Sequence, residues 1–298
     1  MCYENIITQT IDGDFVHLHD IHVDVLRLDL LDPVISGNKW FKLKYYLQEA
    51  IEKEAGSIAT FGGAYSNHIA ATAYACKIYG IKCNGIIRGE EPEQLSHTLQ
   101  AARYNGMQLH FVSRVDYQNK EKLRAHFKST ESLFWIPEGG YGLQGVKGAK
   151  EILQIAKDAS SYTHIVCAAG TATTMAGVIS AANLHQEIIG FSVMKNNTAL
   201  EHELKALLSD GDLHKNFSIY HDYHFGGYAR HPKELIDFMN NIYQQYKLPL
   251  DFVYTAKAFY GLLQFIHHQK ILPASKVLFI HSGGLQGNLS FPKGTLLY

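Results

Sequence analysis

The sequence predicts an α/β protein with a parallel sheet that is covered by helices on both faces. Two observations indicate this fold class. Short apolar segments alternate with amphipathic segments along most of the 298 residues, and the joints between them are rich in glycine and other small residues. Repeated strand–helix units of this kind imply right-handed crossovers between parallel strands.

The first elements carry clear local signals. Residues 15–30 alternate apolar and polar side chains and are predicted as a strand or hairpin. Asn38 is expected to cap a helix over 39–54, and a strand over 57–61 follows. The remaining elements, predicted in the same way, are strands over 82–88, 109–113, 133–137, 164–168, 188–194, 217–225 and 276–280, and helices over 66–79, 95–104, 117–127, 144–158, 175–185, 198–208, 232–246 and 255–267.

The composition is that of a globular protein with a small partner. Hydrophobic residues make up 46% of the chain and charged residues 18%, and 27 Lys and Arg face 28 Asp and Glu for a formal charge of −1. This balance excludes a disordered chain and offers no electrostatic reason to expect nucleic acid or an anionic membrane. The first ten residues lack the pattern of an export signal, so we expect a soluble, cytoplasmic protein without disulfides.

Three histidines raise the question of a metal site. His17, His19 and His22 lie close together in the sequence, but His22 would not share a strand face with the other two. No cysteine or carboxylate nearby completes a ligand pattern, so we interpret them as surface histidines and expect no metal.

A phosphate site is predicted at the start of one helix. The chain contains neither the P-loop motif nor the dinucleotide fingerprint. The loop after Gly170 nevertheless offers three hydroxyls, those of Thr171, Thr173 and Thr174, together with backbone N–H groups where the helix dipole favours a phosphate monoester. A plain strand-to-helix turn is the alternative interpretation.

Lys39 stands out because it follows a tight turn at a helix start that repels positive charge. If this lysine is buried, its pKa falls, and the neutral amine that results is the form that attacks a carbonyl in Schiff-base chemistry. An exposed lysine in the first helical turn is the alternative.

Six motifs in one order extend this evidence over most of the chain. They are Ser36-Gly37-Asn38-Lys39 with Lys42-Leu43, Gly62-Gly63-Ala64-Tyr65-Ser66-Asn67-His68, Ile136-Pro137-Glu138-Gly139-Gly140, the loop from Thr171 to Gly177, Val253-Tyr254-Thr255-Ala256-Lys257, and Ile280-His281-Ser282-Gly283-Gly284. In this order the chain resembles the pyridoxal-phosphate (PLP)-dependent D-cysteine desulfhydrases and 1-aminocyclopropane-1-carboxylate (ACC) deaminases, which have the tryptophan-synthase-β-like fold.

The resemblance implies two mainly parallel twisted sheets, with PLP in the cleft between a large domain (1–42 and 150–298) and a smaller inserted domain (43–149). It also implies a homodimer. By the same resemblance Lys39 carries PLP as a Schiff base, Lys42 contacts its phosphate, and Asn67 binds its phenolic oxygen. The phosphate cradle is implied at Thr171, Ala172, Thr173 and Thr174, and the partner of the ring nitrogen at Thr255.

The substrate is then a small amino acid. Ser66 is expected to face its carboxylate and Cα, with Asn67 and His68 beside it, and Tyr228 and Tyr254 match two active-site tyrosines of the family. For His68, a purely structural role at the helix start is the alternative. The catalytic residues implied are Lys39, Ser66, Tyr228 and Tyr254.

Two positions separate the two activities of the family. By the resemblance, the ACC deaminases of the family carry Glu where this chain has Thr255 and Leu where it has Ser282. A hydroxyl partner leaves the cofactor ring a weaker electron sink, which suits β-elimination of D-cysteine better than ring opening. ACC deamination and PLP binding without efficient turnover are the alternatives. Phe41 and Tyr65 depart from the family pattern and leave the substrate open.

Overall fold

Two sheets form the framework of the computed structural model, which describes residues 1–127 and 132–298. Their strands are β1 (Thr8–Ile11), β2 (His22–Arg27), β3 (Ser57–Gly63), β4 (Lys82–Arg88), β5 (Met107–Val112), β6 (Leu133–Ile136), β7 (His164–Ala169), β8 (Glu187–Ser192), β9 (Asn216–Tyr220) and β10 (Lys276–His281). The larger sheet has the order β1-β2-β10-β7-β8-β9, and the smaller has the order β5-β4-β3-β6. All neighbours are parallel except β1 and β2, so the predicted α/β fold class with two mainly parallel sheets is confirmed.

Helices cover both sheets. They are α1 (Asp14–Leu18), α2 (Asn38–Glu52), α3 (Asn67–Tyr79), α4 (His97–Tyr104), α5 (Lys120–His126), α6 (Leu143–Ile155), α7 (Ala172–Ala181), α8 (Leu200–Lys205), α9 (Lys233–Tyr246) and α10 (Thr255–His267). Helix α6 packs against both α2 and α7. Glycines permit this close approach, because a Cβ on Gly148 would lie 1.7 Å from the carbonyl oxygen of Phe41 and one on Gly177 would lie 2.5 Å from Cβ of Ala149.

The strands of the two sheets come from different parts of the chain. Each strand of the smaller sheet lies within 43–149, and each strand of the larger sheet lies outside that range. The limits at residues 42 and 150 stay a prediction, because α2 runs through the first and α6 runs through the second.

The segment 15–30 differs from its predicted strand or hairpin. Residues 14–18 form the short helix α1, and the strand begins only at His22, after a turn in which Asp20 has a φ of 52°. The alternation misled because only Val16 of α1 is buried, whereas Leu18 is 82% exposed. An apolar side chain in solvent adds to the pattern without adding to the core.

The histidines of this segment have local partners. His17 lies 2.8 Å from Asp12, His22 lies 2.8 Å from Asp24, and the His19 ring packs on Phe15. Within residues 1–127 and 132–298, no three His, Cys, Asp or Glu side chains cluster as metal ligands would. Over the same residues, no helix has both the length and the apolar character that a membrane crossing requires.

Candidate active site

A cleft of about 800 Å³ opens where strands of both sheets end. Its wall contains residues at or just after the carboxyl ends of β3, β4, β6, β7, β8 and β10, which is where parallel α/β sheets bind ligands. The predicted site residues that line the cleft are Lys39, Lys42, Ser66, Asn67, His68, Thr171, Thr174, Tyr228, Tyr254 and Ser282. Ala172, Thr173 and Thr255 are fully buried and do not belong to this lining.

Lys39 lies in the first turn of α2 and is partly buried in the cleft wall. Its Nζ donates to Oδ1 of Asn38 at 2.9 Å and lies 5.7 Å from the ring centroid of Tyr254. Burial lowers the pKa of Lys39 to about 8, although the nearby Asp251 carboxylate opposes the shift. A substantial neutral fraction near neutral pH makes this amine a competent nucleophile.

Asn38 does not cap α2 as predicted. The cap position is Gly37, whose φ of 72° suits glycine, and Asn38 is the first helical residue. Its side chain instead links two parts of the site, because Oδ1 accepts from Lys39 and Nδ2 donates to Oγ1 of Thr174 at 2.8 Å. Asn38 is therefore a residue of the candidate site, whereas its expected role was only to cap the helix.

Lys42 lies one turn after Lys39 on the same helix and is almost fully buried. Its Nζ donates to Oγ1 of Thr171 at 2.7 Å. Burial, and then the charge of Lys39, lowers the pKa of Lys42 well below its usual range. A buried ammonium beside a neutral hydroxyl is costly unless an anion joins it, so the geometry favours a phosphate at this point.

The loop that leads into α7 completes the phosphate site. Thr171 is the N-cap residue, and Ala172, Thr173 and Thr174 form the first turn, where backbone N–H groups lack helical partners. The buried Oγ1 of Thr173 has no hydrogen-bond partner among the described residues. Together with Lys42, these groups fit a phosphate monoester, and the predicted phosphate site here stays a prediction.

Ser66, Asn67 and His68 occupy the start of α3, directly after β3. Ser66 caps the helix by accepting from the N–H of Ile69 at 3.4 Å. The Asn67 amide borders the cleft, and its Oδ1 accepts from Nε2 of Gln286 at 2.9 Å. The helix start therefore offers a hydroxyl, an amide and backbone N–H groups to an anion in the cleft.

His68 is neutral and presents an acceptor rather than a donor. Thr60 donates its hydroxyl to the carbonyl oxygen of Ile136 at 2.8 Å, so it accepts from Nε2–H of His68 at 2.8 Å. The buried Nδ1 is then unprotonated, and it has no partner among the described residues. Burial, followed by the charges of Lys42 and Lys39, lowers the pKa of His68 well below its usual range.

Tyr228 and Tyr254 stand edge to face at the cleft, with their ring centroids 6.1 Å apart. Burial raises the pKa of both phenols. The neighbouring hydroxyl of Tyr254 opposes this shift in Tyr228, whereas the hydroxyl of Tyr228 adds to the shift in Tyr254. Tyr228 is therefore the phenol of the pair that ionises more readily.

Thr255 is completely buried and is bonded to Asp251. Its hydroxyl accepts from the N–H of Asp251 and donates to Oδ1 of Asp251, both at 2.7 Å. The Asp251 carboxylate also accepts from the N–H groups of Val253, Tyr254 and Thr255 at 2.7 to 3.0 Å. A buried negative charge therefore lies one hydrogen bond behind Thr255. The D-x-x-x-T spacing at a helix start is the sequence signal that could have revealed Asp251.

The two departures from the family pattern lie in different surroundings. Phe41 is fully buried in the core and is not a cleft residue. Tyr65 lines the cleft, is 58% exposed, and packs near the ring of His97 at 5.7 Å. Of the two, Tyr65 is the one placed to affect which substrate enters.

The fold and the site together define a class of enzyme in which a lysine in a cleft holds a phosphorylated cofactor. Comparison with known proteins agrees, because the family model described as pyridoxal-phosphate dependent enzyme matches residues 18–283. The chain belongs to this family, in the group that contains the ACC deaminases and D-cysteine desulfhydrases, and its cofactor is pyridoxal 5′-phosphate.

Individual relatives agree over nearly the whole chain. A putative ACC deaminase of Thermotoga maritima is 33% identical over 90% of both chains. A bifunctional D-cysteine desulfhydrase/ACC deaminase of Arabidopsis thaliana, mitochondrial by name, is 30% identical over 88% of this chain and 72% of its own. The crystal structure of an ACC deaminase homologue superimposes with a TM-score of 0.80 at 25% identity, covering 95% of this chain and 90% of the other.

Proposed function

We propose that the protein converts D-cysteine and water to pyruvate, hydrogen sulfide and ammonia by PLP-dependent β-elimination. The observation that carries the choice within the family is the pair of hydroxyl residues Thr255 and Ser282, because neither carries the charge that ring opening demands; of the two, only Ser282 lines the cleft. Thiolate is a good leaving group once Cα has lost its proton, so elimination needs a weaker electron sink.

The residues of the cleft divide the work. When bound, PLP withdraws electron density from the substrate Cα and makes its proton acidic. Lys42, Thr171, Thr173, Thr174 and the start of α7 hold the phosphate, while Lys39 binds the cofactor covalently. The Lys39 amine, when free, would take the proton from Cα of the substrate.

The start of α3 orients the substrate. Ser66 and the adjacent N–H groups bind its carboxylate, so that the Cα–H bond faces Lys39. We assign Asn67 to the cofactor's phenolic oxygen. Tyr228, supported by Tyr254, is positioned to give a proton to the departing sulfur. The neutral His68 is an acceptor at the back of the site rather than a proton donor.

A second candidate is ACC deamination, in which ACC and water give 2-oxobutyrate and ammonia. The Asp251 carboxylate favours it, because this buried charge behind Thr255 increases the negative potential near the helix start. The names of two relatives also include this activity.

The deciding experiment incubates the PLP-loaded protein with D-cysteine, L-cysteine and ACC in parallel and measures pyruvate, sulfide and 2-oxobutyrate. Pyruvate and sulfide from D-cysteine, absent with Lys39→Ala, are expected. 2-Oxobutyrate from ACC alone would replace the proposal by the second candidate. Bound PLP without product from any of them would indicate another amino acid or a binding protein without efficient turnover.

A paired substitution tests the reason for the choice. Thr255→Glu with Ser282→Leu is expected to reduce D-cysteine turnover and to raise ACC turnover. Exchange of only Ser290 for Leu, at the surface, serves as the control. An unchanged ratio of the two activities in the double variant would contradict the role given to these hydroxyls.

We further propose that the protein works as a homodimer, as the family resemblance implies, and that it is located in the cytoplasm. Sedimentation at several protein concentrations and cell fractionation test the two statements separately.

A further inference from the structure

Gln286 reaches across the cleft to Asn67. It lies in the short helical segment Leu285–Ser290 that follows β10 of the larger sheet, whereas Asn67 begins α3, which follows β3 of the smaller sheet. Nε2 of Gln286 donates to Oδ1 of Asn67 at 2.9 Å, and both residues line the cleft. Gln286 lies two residues beyond the last of the six sequence motifs, which ends at Gly284.

The backbone around Gln286 is held in place from several sides. Gly284 has a φ of 95°, and a Cβ there would lie 3.2 Å from Nδ2 of Asn67 and 3.1 Å from Cγ of Asp251. The segment Leu285–Ser290 packs against α4, and the ring of His97 lies beside the backbone of Gln286. The Gln286 side chain therefore extends from a fixed support.

An asparagine amide has a donor end and an acceptor end, and its neighbours decide which end faces a ligand. Here the carbonyl end of Asn67 is occupied by a donor from Gln286, so the NH₂ group is the end left for the cleft. The difference is chemically large, because a phenolate oxygen attracts an N–H donor and repels a carbonyl oxygen.

We propose that Gln286 is a positioning residue that holds the Asn67 amide with its NH₂ group toward the phenolic oxygen of PLP. This inference rests on the role proposed above for Asn67, and it does not depend on which amino acid is the substrate. The same hydrogen bond joins the segment that follows β10 of the larger sheet to the helix that follows β3 of the smaller sheet, across the cleft.

The test reverses the hydrogen bond. Gln286→Glu replaces the donor by a carboxylate, which accepts the NH₂ group of Asn67 and turns the carbonyl toward PLP. Gln286→Met has a side chain of similar volume but no amide, so it removes the preference of the Asn67 amide for one orientation. Gln100→Glu adds the same charge on the exposed face of α4, outside the cleft, and is the matched control.

Two readouts need no substrate. The first is the affinity of the apoprotein for PLP, expected to fall about tenfold in Gln286→Glu, since hydrogen bonds to charged groups have this magnitude. The second is the pH midpoint at which the absorbance of bound PLP changes. A phenolate that has lost its hydrogen-bond donor favours the protonated form of the adjacent nitrogen more strongly. The midpoint therefore rises in the order wild type, Gln286→Met, Gln286→Glu, by about one pH unit in all.

The controls separate this proposal from the others. Asn67→Ala should raise the midpoint as well, and Gln100→Glu should leave it unchanged. Equal unfolding temperatures of the apoproteins would show that the shift is not a loss of structure. If Asn67→Ala shifts the midpoint but Gln286→Glu does not, Gln286 has no positioning role and the proposal is overturned. If neither shifts it, the proposal fails together with the role of Asn67, while a failure to turn over D-cysteine would affect the proposed reaction alone.

Discussion

The backbone N–H of Asn38 donates to the carbonyl oxygen of Ser282 at 3.1 Å, which attaches the turn before Lys39 directly to the loop after β10. Gly37 makes this contact possible, because a Cβ at residue 37 would lie 1.9 Å from that same oxygen. Lys39 and the loop after β10, which both line the cleft, are therefore positioned by one backbone contact.

Gly37→Ala is expected to lower the free energy of unfolding by about 3 kcal/mol or more and to abolish PLP binding, since a strained φ and a backbone clash act together. Gly80→Ala is the matched control. Gly80 has a similar φ of 67°, but a Cβ there meets nothing within 4 Å, so a loss of about 1 kcal/mol is expected. Chemical denaturation measures both. Equal losses would show that the contact with Ser282 is unimportant.

The capture of PLP by the apoprotein should accelerate with pH around a midpoint near 8. Only the neutral amine attacks the aldehyde, and the pKa of Lys39 is lowered to about 8 by burial. Below this pKa the ammonium form predominates, so the rate falls as pH falls. Stopped-flow absorbance between pH 6 and 10 measures the profile.

Asp251→Asn should move this midpoint to lower pH, because the Asp251 carboxylate is the group that raises the pKa of Lys39 against burial. Asp12→Asn removes the same charge at an exposed position and should leave the profile unchanged. A midpoint that stays in place in Asp251→Asn would contradict the coupling between the two residues.

Lys42→Met should weaken PLP binding by about 10- to 100-fold, as expected for the loss of a charge-assisted hydrogen bond. Pyridoxal, which lacks the phosphate, should bind the variant and the wild type about equally. Lys44→Met removes a lysine from the same helix that pairs with Glu151 instead, and it should change neither affinity. Equal weakening of PLP and pyridoxal would place the role of Lys42 elsewhere. Fluorescence titration gives all the constants.

Tyr228→Phe and Tyr254→Phe should each lower kcat for the proposed elimination by about 100-fold with little change in KM, as expected for the loss of proton transfer. Because the hydroxyls form a pair, the double variant should be about as slow as either single variant. Tyr104→Phe, at an exposed site, is the control. Multiplicative losses would show that the tyrosines act independently.

Most helices and strands could be predicted because their ends carry local signals. Helix α3, predicted over 66–79, begins at Asn67 after the N-cap Ser66 and ends at Tyr79, before Gly80 with a φ of 67°. The loop before α7 could be singled out as a candidate phosphate site for the same reason, since hydroxyls at a helix start are a local sequence signal.

The rest of the site depends on contacts that local patterns do not encode. Asn38 looked like a cap because nothing in the sequence shows that Thr174 lies beside its amide. The contact of Gln286 with Asn67 exists only in the tertiary structure, where the two sheets face each other. The tautomer of His68 likewise depends on the hydrogen bond from Thr60 to Ile136. Such roles follow from tertiary structure alone.

The hydrogen bonds that build the cleft join residues 129, 136 and 219 positions apart in the chain, for the pairs Lys42 with Thr171, Asn38 with Thr174, and Asn67 with Gln286. Contacts of such long sequence separation form late in folding, because the entropy cost of closing a long loop is incurred before the contact can stabilise the chain. PLP should therefore recognise only chains that have completed both sheets and docked them. The yellow absorbance of the bound cofactor would then come only from fully folded chains. PLP binding would thus report the completion of folding in each chain.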